Sequence, residues 1–143
     1  MTITDKLSRL TAINLGTLLD TVLRDNEDYI CDLTRNQMYE DGVMNVRTGK
    51  HERYAESTKR AKRRAPFNKT EFVTLKWFGE FHESLKILIF KDYFVINSAN
   101  KTWGNYLEPN PRFENALGLT KESKSELREL VRDELIKKLR REL

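Results

Sequence analysis

The sequence predicts an α+β fold, with N-terminal helices, a small antiparallel sheet built around a hairpin, and a long C-terminal helix. Apolar residues recur at helical spacing before residue 41, two short β-branched and aromatic runs lie near residue 90, and an i, i+4 apolar stripe ends the chain. A chain of 143 residues fits one domain of ordinary size. We therefore expect a single domain over residues 1–143 with four successive parts: residues 1–41, 42–69, 70–120 and 121–143.

The first part is predicted to be helical. Over residues 7–24, apolar side chains recur at helical spacing, among them Leu7, Leu10, Leu18 and Val22. A second helical stretch covers about residues 28–39. We expect one long helix or two consecutive helices, broken near Asp25 and Asn26 if anywhere, and ending before Gly42.

The second part is predicted to be a loop followed by a basic helix. The stretch DGVMNVRTGKHERY contains three turn signals and few apolar anchors, which favours a mobile loop. The stretch ERYAESTKRAKRR is rich in helix formers and stops before Pro66, whose ring disfavours helix in the preceding residue. We expect a short helix over about residues 52–64.

The third part begins with a glycine set among aromatic residues, in the stretch VTLKWFGEFHESLKILIF. Gly79 permits an abrupt reversal between an extended segment and a helical turn. Trp77 and Phe81 flank this glycine and can anchor the reversal. We call Trp77, Gly79 and Phe81 the structural joint.

Two apolar runs follow, at residues 85–90 and 93–98, separated by Lys91-Asp92. Their β-branched and aromatic composition predicts a β-hairpin. Because both faces of the runs are hydrophobic, we expect the hairpin to be covered on both sides.

The last part is predicted to be a helix that Thr120 can cap. Its apolar stripe consists of Leu127, Val131, Leu135 and Leu139. Such an amphipathic helix needs a partner surface, and we expect it to pack on the hairpin of its own subunit.

Several functional classes find little support in the sequence. Cys31 is the only cysteine, so a disulfide framework and a multi-cysteine zinc site are excluded. The N-terminal stretch lacks the uninterrupted apolar core of a secretion signal, and no apolar run approaches the ~20 residues of a membrane span. We expect no contact with a membrane.

The sequence also contains few residues that could act in catalysis or bind a metal. Neither His51 nor His82 has a second histidine at metal-ligand spacing. His82 has polar neighbours, including Ser84, but they are interpreted as a partly exposed helical turn and not as a hydrolase site. We therefore expect no catalytic, cofactor or metal site.

The strongest electrostatic feature is the run KRAKRRAPFNK, since residues 47–69 carry a net charge of +7 in a chain of net charge +4. The candidate contact residues are Lys59, Arg60, Lys62, Arg63, Arg64 and Lys69. Three interpretations remain open: a solvated helix face, a contact with an acidic protein surface, and a contact with a nucleic-acid backbone.

The order of four motifs resembles the neck and tail-completion proteins of tailed bacteriophages, a group of head-to-tail connector and virion morphogenesis proteins. These motifs are YAESTKRAKRR, VTLKWFGEFHESLKILI, FVINSANK and ALGLTKES, followed by the long final helix. Family members that look similar have a segment of the form Thr-Leu-x-x-Thr-Gly-x-Phe-x-x-Ser. Its places are filled here by Thr74, Leu75, Gly79, Phe81 and Ser84, with Phe78 where the family usually has threonine.

This resemblance covers about residues 37–143 and implies a non-enzymatic virion subunit. Such a subunit assembles in the host cytoplasm into a homo-oligomeric ring at the neck or tail. The ring joins the portal complex to the tail around the DNA channel, and its partners are portal, adaptor or tail proteins. A nucleic-acid-binding accessory protein that uses residues 59–69 is the alternative.

Overall fold

The computed structural model describes residues 2–12 and 14–142, apart from the side chains of Leu10 and Thr11. These residues form six α-helices and one two-stranded antiparallel sheet, which confirms the α+β prediction. Between the sheet and the last helix lie a π-helical turn, Trp103–Leu107, and a 3₁₀ turn, Pro111–Phe113. No helix in the described ranges is long and apolar enough to cross a membrane.

The N-terminal region contains three helices: α1 (Ile3–Ala12), α2 (Leu15–Asp25) and α3 (Glu27–Tyr39). The predicted break near Asp25 and Asn26 is confirmed, and Asn26 closes α2 by donating from its side chain to the carbonyl of Val22 at 2.8 Å. An earlier break was not predicted. There, Asn14 caps α2 by accepting a hydrogen bond from the amide of Thr17 at 3.2 Å.

Burial increases along these helices. The described side chains of α1, including Leu7, are exposed, whereas Val22 in α2 and Ile30 and Met38 in α3 are fully buried. The side chain of Leu10, a member of the predicted stripe, lies outside the described part of the structure. The first part of the chain therefore enters the core mainly through the end of α2 and through α3.

The loop after α3 is better anchored than the sequence suggested. Met44 is fully buried, and its amide donates to the carbonyl of Lys50 at 3.0 Å. The amide of Val46 donates to the carbonyl of Asn115 at 2.9 Å, which fastens the loop to a distant segment. The expectation of few anchors was wrong because one buried methionine and long-range backbone bonds are not visible as an apolar pattern.

The predicted hairpin is confirmed, with β1 (Leu85–Ile89) antiparallel to β2 (Phe94–Ser98) and Ile87 opposite Ile96. Ile87 and Ile96 are buried, whereas the opposed pair Leu88 and Val95 on the other face is exposed. The prediction that both faces are covered is wrong for this chain alone. Side chains alternate along a strand, and no described element covers the second face. We call Leu88 and Val95 the outer hairpin face.

The final helix, α6 (Lys121–Glu142), starts as predicted, since the hydroxyl of Thr120 accepts a hydrogen bond from the amide of Ser123 at 3.2 Å. Within its stripe, Leu127 is buried and the other three residues are half-buried. Its main partner is α2 and not the hairpin as expected, and an ion pair of 3.6 Å joins Lys138 to Asp25. The amphipathic pattern of a helix shows which of its faces is buried, but it does not show which element that face packs against.

Buried polar bonds connect α3 with the start of α6. Thr34 and Gln37 are both buried, and their side chains donate to the carbonyl of Gly118 at 2.7 and 3.0 Å. Gln37 also accepts from the amide of Thr120 at 3.0 Å. Gly118 has a φ of +134°, which residues with a side chain rarely adopt, and a Cβ there would lie 3.3 Å from Cγ2 of Val46.

The core surrounds α3, which packs against β1. It draws residues from the helices, the loop after α3, the hairpin and the segment before α6, among them Ile30, Met44, Ile87, Phe113 and Leu127. Cys31 is buried as expected, and burial raises the pKa of its thiol to about 11. The thiol is therefore neutral and forms part of the packing.

Candidate functional site

The predicted basic helix is α4 (Glu56–Lys62), followed by a turn that carries the rest of the basic run. Glu56 in the first turn and basic residues in the last turn both suit the helix dipole. Arg60, Arg63 and Arg64 are exposed, and none of them forms an ion pair within the described part of the chain. We call these three residues the arginine face. Lys59 lies beside it and pairs with Glu56 at 3.3 Å.

Lys62, a predicted contact residue, points inward and has 0% of its surface exposed. Its ammonium group donates hydrogen bonds to the carbonyl of Phe67 and, at 2.9 Å, to that of Lys76. It also lies 5.7 Å from the ring centre of Tyr54. Burial lowers the pKa of Lys62 because the charged form loses solvation. Lys62 therefore fastens α4 to the segment that leads into the structural joint, which corrects its assignment to a partner surface.

Lys69 is exposed but engaged with the end of α3. Its ammonium group donates to the carbonyl of Tyr39 at 3.2 Å and lies 4.6 Å from the centre of the Tyr39 ring. A further ion pair of 3.4 Å joins Lys69 to Glu40, and both side chains are exposed, so this pair adds little stability. Of the six predicted contact residues, the three arginines are thus the most open to a partner.

The structural joint adopts the reversal expected from its glycine. Gly79 has a φ of +95° and precedes α5 (Glu80–Glu83), the single helical turn that leads into β1. Phe81 is buried and stacks on Trp103, with ring centres 5.4 Å apart. Trp77 is half-buried, and its carbonyl accepts from the amide of Phe67 at 3.1 Å.

A cleft of about 510 Å³ lies between the joint and the segment that enters α4. Apolar and aromatic side chains form much of its wall, and Arg53, Glu80 and Asn100 supply polar groups. Leu75, also in the wall, has a φ of +57°, a conformation that costs a residue other than glycine about 1 kcal/mol or more and that concentrates at functional sites. The cleft brings the joint together with Ala55 and Thr58 at the start of α4.

His82 is buried, with 1% of its surface exposed, and not partly exposed as expected. Its Nε2 lies 2.7 Å from the carbonyl oxygen of Thr74, so Nε2 carries the proton and donates it. Nδ1 has no hydrogen-bond partner within the described residues. Burial, the largest cause, lowers the pKa of His82 to about 4, and the nearby charges of Lys76 and Arg35 act in the same direction.

The polar neighbours of His82 in sequence do not converge on its ring. The hydroxyl of Ser84 bonds the carbonyl of Phe81 and the hydroxyl of Ser98, whereas Glu80 and Glu83 are exposed. The structure therefore does not assemble these residues into a nucleophile, base and orienting acid. Within residues 2–12 and 14–142, no group of three or more histidine, cysteine, aspartate and glutamate side chains could hold a metal ion.

Sequence reasoning missed the cleft and a second concavity between α2, the hairpin tip and α6. The first depends on Arg53, Asn100 and Phe113, which lie in separate segments that only the tertiary fold brings together. The second depends on Leu19 in α2 and Ile136 in α6. Leu19 has the helical spacing of the first apolar stripe, yet spacing alone could not show that it stays exposed.

Comparisons with protein-family models, with curated proteins and with solved structures gave no match to this chain. Its function must therefore be argued from its own residues and motifs.

Proposed function

We propose that this chain is a structural virion protein of a tailed bacteriophage. In this role it forms a neck or tail-completion ring that joins the portal complex to the tail around the DNA channel. It acts by binding and not by catalysis, requires no cofactor, and assembles in the host cytoplasm before it becomes part of the virion. Its partners are further copies of itself and portal, adaptor or tail proteins.

The observation that carries this proposal is that three of the four family-like motifs meet in one structural unit. The amide of Thr74 donates to the hydroxyl of Tyr54 at 3.0 Å, and Lys62 binds the carbonyl of Lys76 at 2.9 Å. The hydroxyl of Ser84 contacts that of Ser98 in β2. Residues far apart in sequence thus support one joint, as expected of motifs that serve one function together.

Two exposed surfaces suit a subunit that completes its burial against partners. The outer hairpin face exposes Leu88 and Val95 side by side, and the stacked rings of Phe90 and Tyr93 lie exposed at the hairpin tip. Contiguous exposed apolar residues of this kind mark protein contacts. The arginine face supplies charge for an acidic protein surface or for the DNA backbone. We assign the outer hairpin face to a different virion protein and not to another copy of this chain.

Electron microscopy tests the proposal directly. We expect negative-stain images of the purified protein, alone or with the products of its neighbouring genes, to show closed rings with a central channel. A co-purified portal or tail component should be lost from the variant Leu88→Glu. A protein that forms no ring and binds none of these neighbours would refute the proposed role.

The exposed arginine face favours a second candidate function, a nucleic-acid-binding accessory protein. For this function, a gel shift with double-stranded DNA should show affinity that falls steeply with salt. Reversal of Arg60, Arg63 and Arg64 to glutamate should abolish the shift at low salt. The matched control reverses Lys137, Arg140 and Arg141, which are also exposed, and should leave it unchanged. DNA binding by a protein that never assembles would favour this second function over the first.

A further inference from the structure

The first helix, α1, contributes none of its described side chains to the hydrophobic core. All its described side chains are exposed, and its apolar residues Ile3 and Leu7 are 77% and 56% exposed. Ile3 and Leu7 are four residues apart, so they lie on the same face, one helical turn from each other. A helix of ten residues is marginal in water unless a tertiary contact supports it. The apolar face of α1 therefore calls for a surface to cover it.

An open apolar groove of about 570 Å³ lies between α2, the hairpin tip and α6. Its wall is mostly apolar and includes Leu19, Ile89, Phe94, Leu127, Val131 and Ile136. Leu19 and Ile136 are exposed although they lie at the sides of this concavity. We call this feature the α2–α6 groove.

We propose that α1 of one copy of the chain docks into the α2–α6 groove of a second copy. The groove lies between two helices and the hairpin tip, a setting in which an amphipathic helix binds through side chains at i and i+4. With ten residues, α1 is about 15 Å long, and Ile3 and Leu7 can occupy the groove from adjacent turns. In its own chain, α1 does not fill the groove, since Ile3 and Leu7 remain exposed.

Charged side chains lie at the edges of both surfaces. Lys6 follows Ile3 by three residues and precedes Leu7, so it lies at the edge of the apolar face. The groove carries two acidic residues, Asp20 and Asp92, on its α2 and hairpin sides, together with the basic residues Lys91, Arg128 and Arg132. Asp5 lies on the opposite side of α1, where it accepts hydrogen bonds from Thr2 and stays in solvent. A docked α1 can thus pair Lys6 with Asp20 or Asp92 without burying Asp5.

Since α1 and the groove are different surfaces, the contact is heterologous and can be repeated from copy to copy. Such contacts close into rings when the rotation between copies allows it. The inference does not depend on a virion role, because it requires only two copies of this chain.

The first experiment measures self-association of the full-length protein by sedimentation over a range of concentrations. Leu7→Glu removes the docking face, and Leu19→Glu obstructs the groove. The matched control is Leu88→Glu, because Leu88 and Leu19 are both 38% exposed and Leu88 lies outside the groove. We expect the wild type and Leu88→Glu to associate and both other variants to associate about tenfold or more weakly. A monomeric wild type, or equal loss in the control, would overturn the inference.

A mixing experiment distinguishes this contact from other modes of association. Leu7→Glu keeps an intact groove, and Leu19→Glu keeps an intact α1. We therefore expect the two variants, each of which associates only weakly alone, to form a complex of one copy of each and nothing larger. Absence of this complex would contradict the proposed contact even if both variants had lost self-association.

A peptide experiment shows whether the groove is the receiving surface. A fluorescent peptide of residues 2–14 should bind the Leu7→Glu protein, whose groove is empty, and should not bind Leu19→Glu. Ile136→Glu provides a second groove variant if Leu19→Glu reduces the helical circular dichroism signal. Equal binding of the peptide to groove variants and to the Leu7→Glu protein would refute the assignment. Failure of these tests would leave the proposed binding of Leu88 to a virion partner untouched, so the two proposals can fail separately.

Discussion

At the scale of single residues, burial sets the charge and the role of two basic side chains. His82 and Lys62 both have polar neighbours in the sequence, yet both side chains are buried. His82 is neutral and donates to Thr74, and Lys62 retains a hydrogen-bonded ammonium group that joins two backbone segments. Each side chain therefore contributes to stability in a way that can be measured.

For His82, we expect the free energy of unfolding to fall as the pH drops from about 6.5 to about 4. The unfolded state binds a proton below pH 6.5, whereas the folded state binds it only below about 4, so acid favours the unfolded state. The full loss from this group is about 3 kcal/mol. Urea unfolding at a series of pH values should show it.

The variant His82→Gln provides the control for this pH dependence. Its amide can donate to the carbonyl of Thr74 but cannot titrate, so the loss of stability between pH 6.5 and 4 should be smaller than in the wild type. The same pH dependence in both proteins would mean that the pKa of His82 is the same in the folded and unfolded states.

For Lys62, we expect Lys62→Met to lower the free energy of unfolding by about 1–3 kcal/mol. The substitution keeps an unbranched side chain but leaves the carbonyls of Phe67 and Lys76 without this donor. Chemical denaturation provides the measurement. Lys59→Met, which changes a more exposed lysine of the same helix, should be nearly neutral, and equal effects of the two changes would contradict the role of Lys62.

At the scale of elements, the structural joint depends on a backbone conformation and the final helix depends on its packing. Gly79 has a φ of +95° where the chain enters α5 and the hairpin. The apolar stripe of α6 packs against α2 and is only partly buried beyond Leu127. Substitutions in each element test these two contributions to stability separately.

We expect Gly79→Ala to destabilise the protein by about 1–2 kcal/mol, because an alanine is strained at this φ. Its Cβ would also lie 3.4 Å from Cε2 of Phe67, at the edge of ordinary contact. Gly104→Ala is the matched control, since a Cβ there meets nothing within 4 Å. The difference between their thermal midpoints measures the strain, and no difference would show that the joint tolerates another backbone conformation.

For α6, we expect Val131→Ala with Leu135→Ala to cost about 2–3 kcal/mol, below the value for fully buried side chains because both are half-buried. Such a loss leaves a folded but weakened protein, since small domains have stabilities of about 5–15 kcal/mol. Circular dichroism during urea unfolding measures it, with Lys124→Ala as an exposed control in the same helix. An unchanged midpoint would mean that the stripe contributes nothing to folding.

The sequence predicted the elements whose signals are local. Asn26 interrupts a helical pattern, Thr120 precedes one, and residues 85–98 carry the composition of a hairpin, and each gave the expected local structure. It did not predict burial that depends on distant partners. The inward turn of Lys62 requires the carbonyls of Phe67 and Lys76 at the right place.

The same limit applies to the candidate site and to the packing of elements. The charge of residues 47–69 predicted a basic surface, but it could not distinguish the exposed arginines from the buried Lys62. Periodicity identified the stripe of α6 but not its partner α2. The groove beside Leu19 exists only once α2, the hairpin and α6 have been assembled.

At the scale of the whole molecule, the bonds from Thr34 and Gln37 to Gly118 also set the order of events during synthesis. The helix that supplies both side chains leaves the ribosome first, because Gly118 and Thr120 follow their partners by 81 to 84 residues in the sequence. Until then, two polar side chains at the centre of the protein must keep water as their partner, so the interior cannot close around them. Nascent chains of this protein therefore cannot complete their fold before this segment has left the ribosome, and in the interval their apolar helix faces are available to chaperones or to other nascent copies.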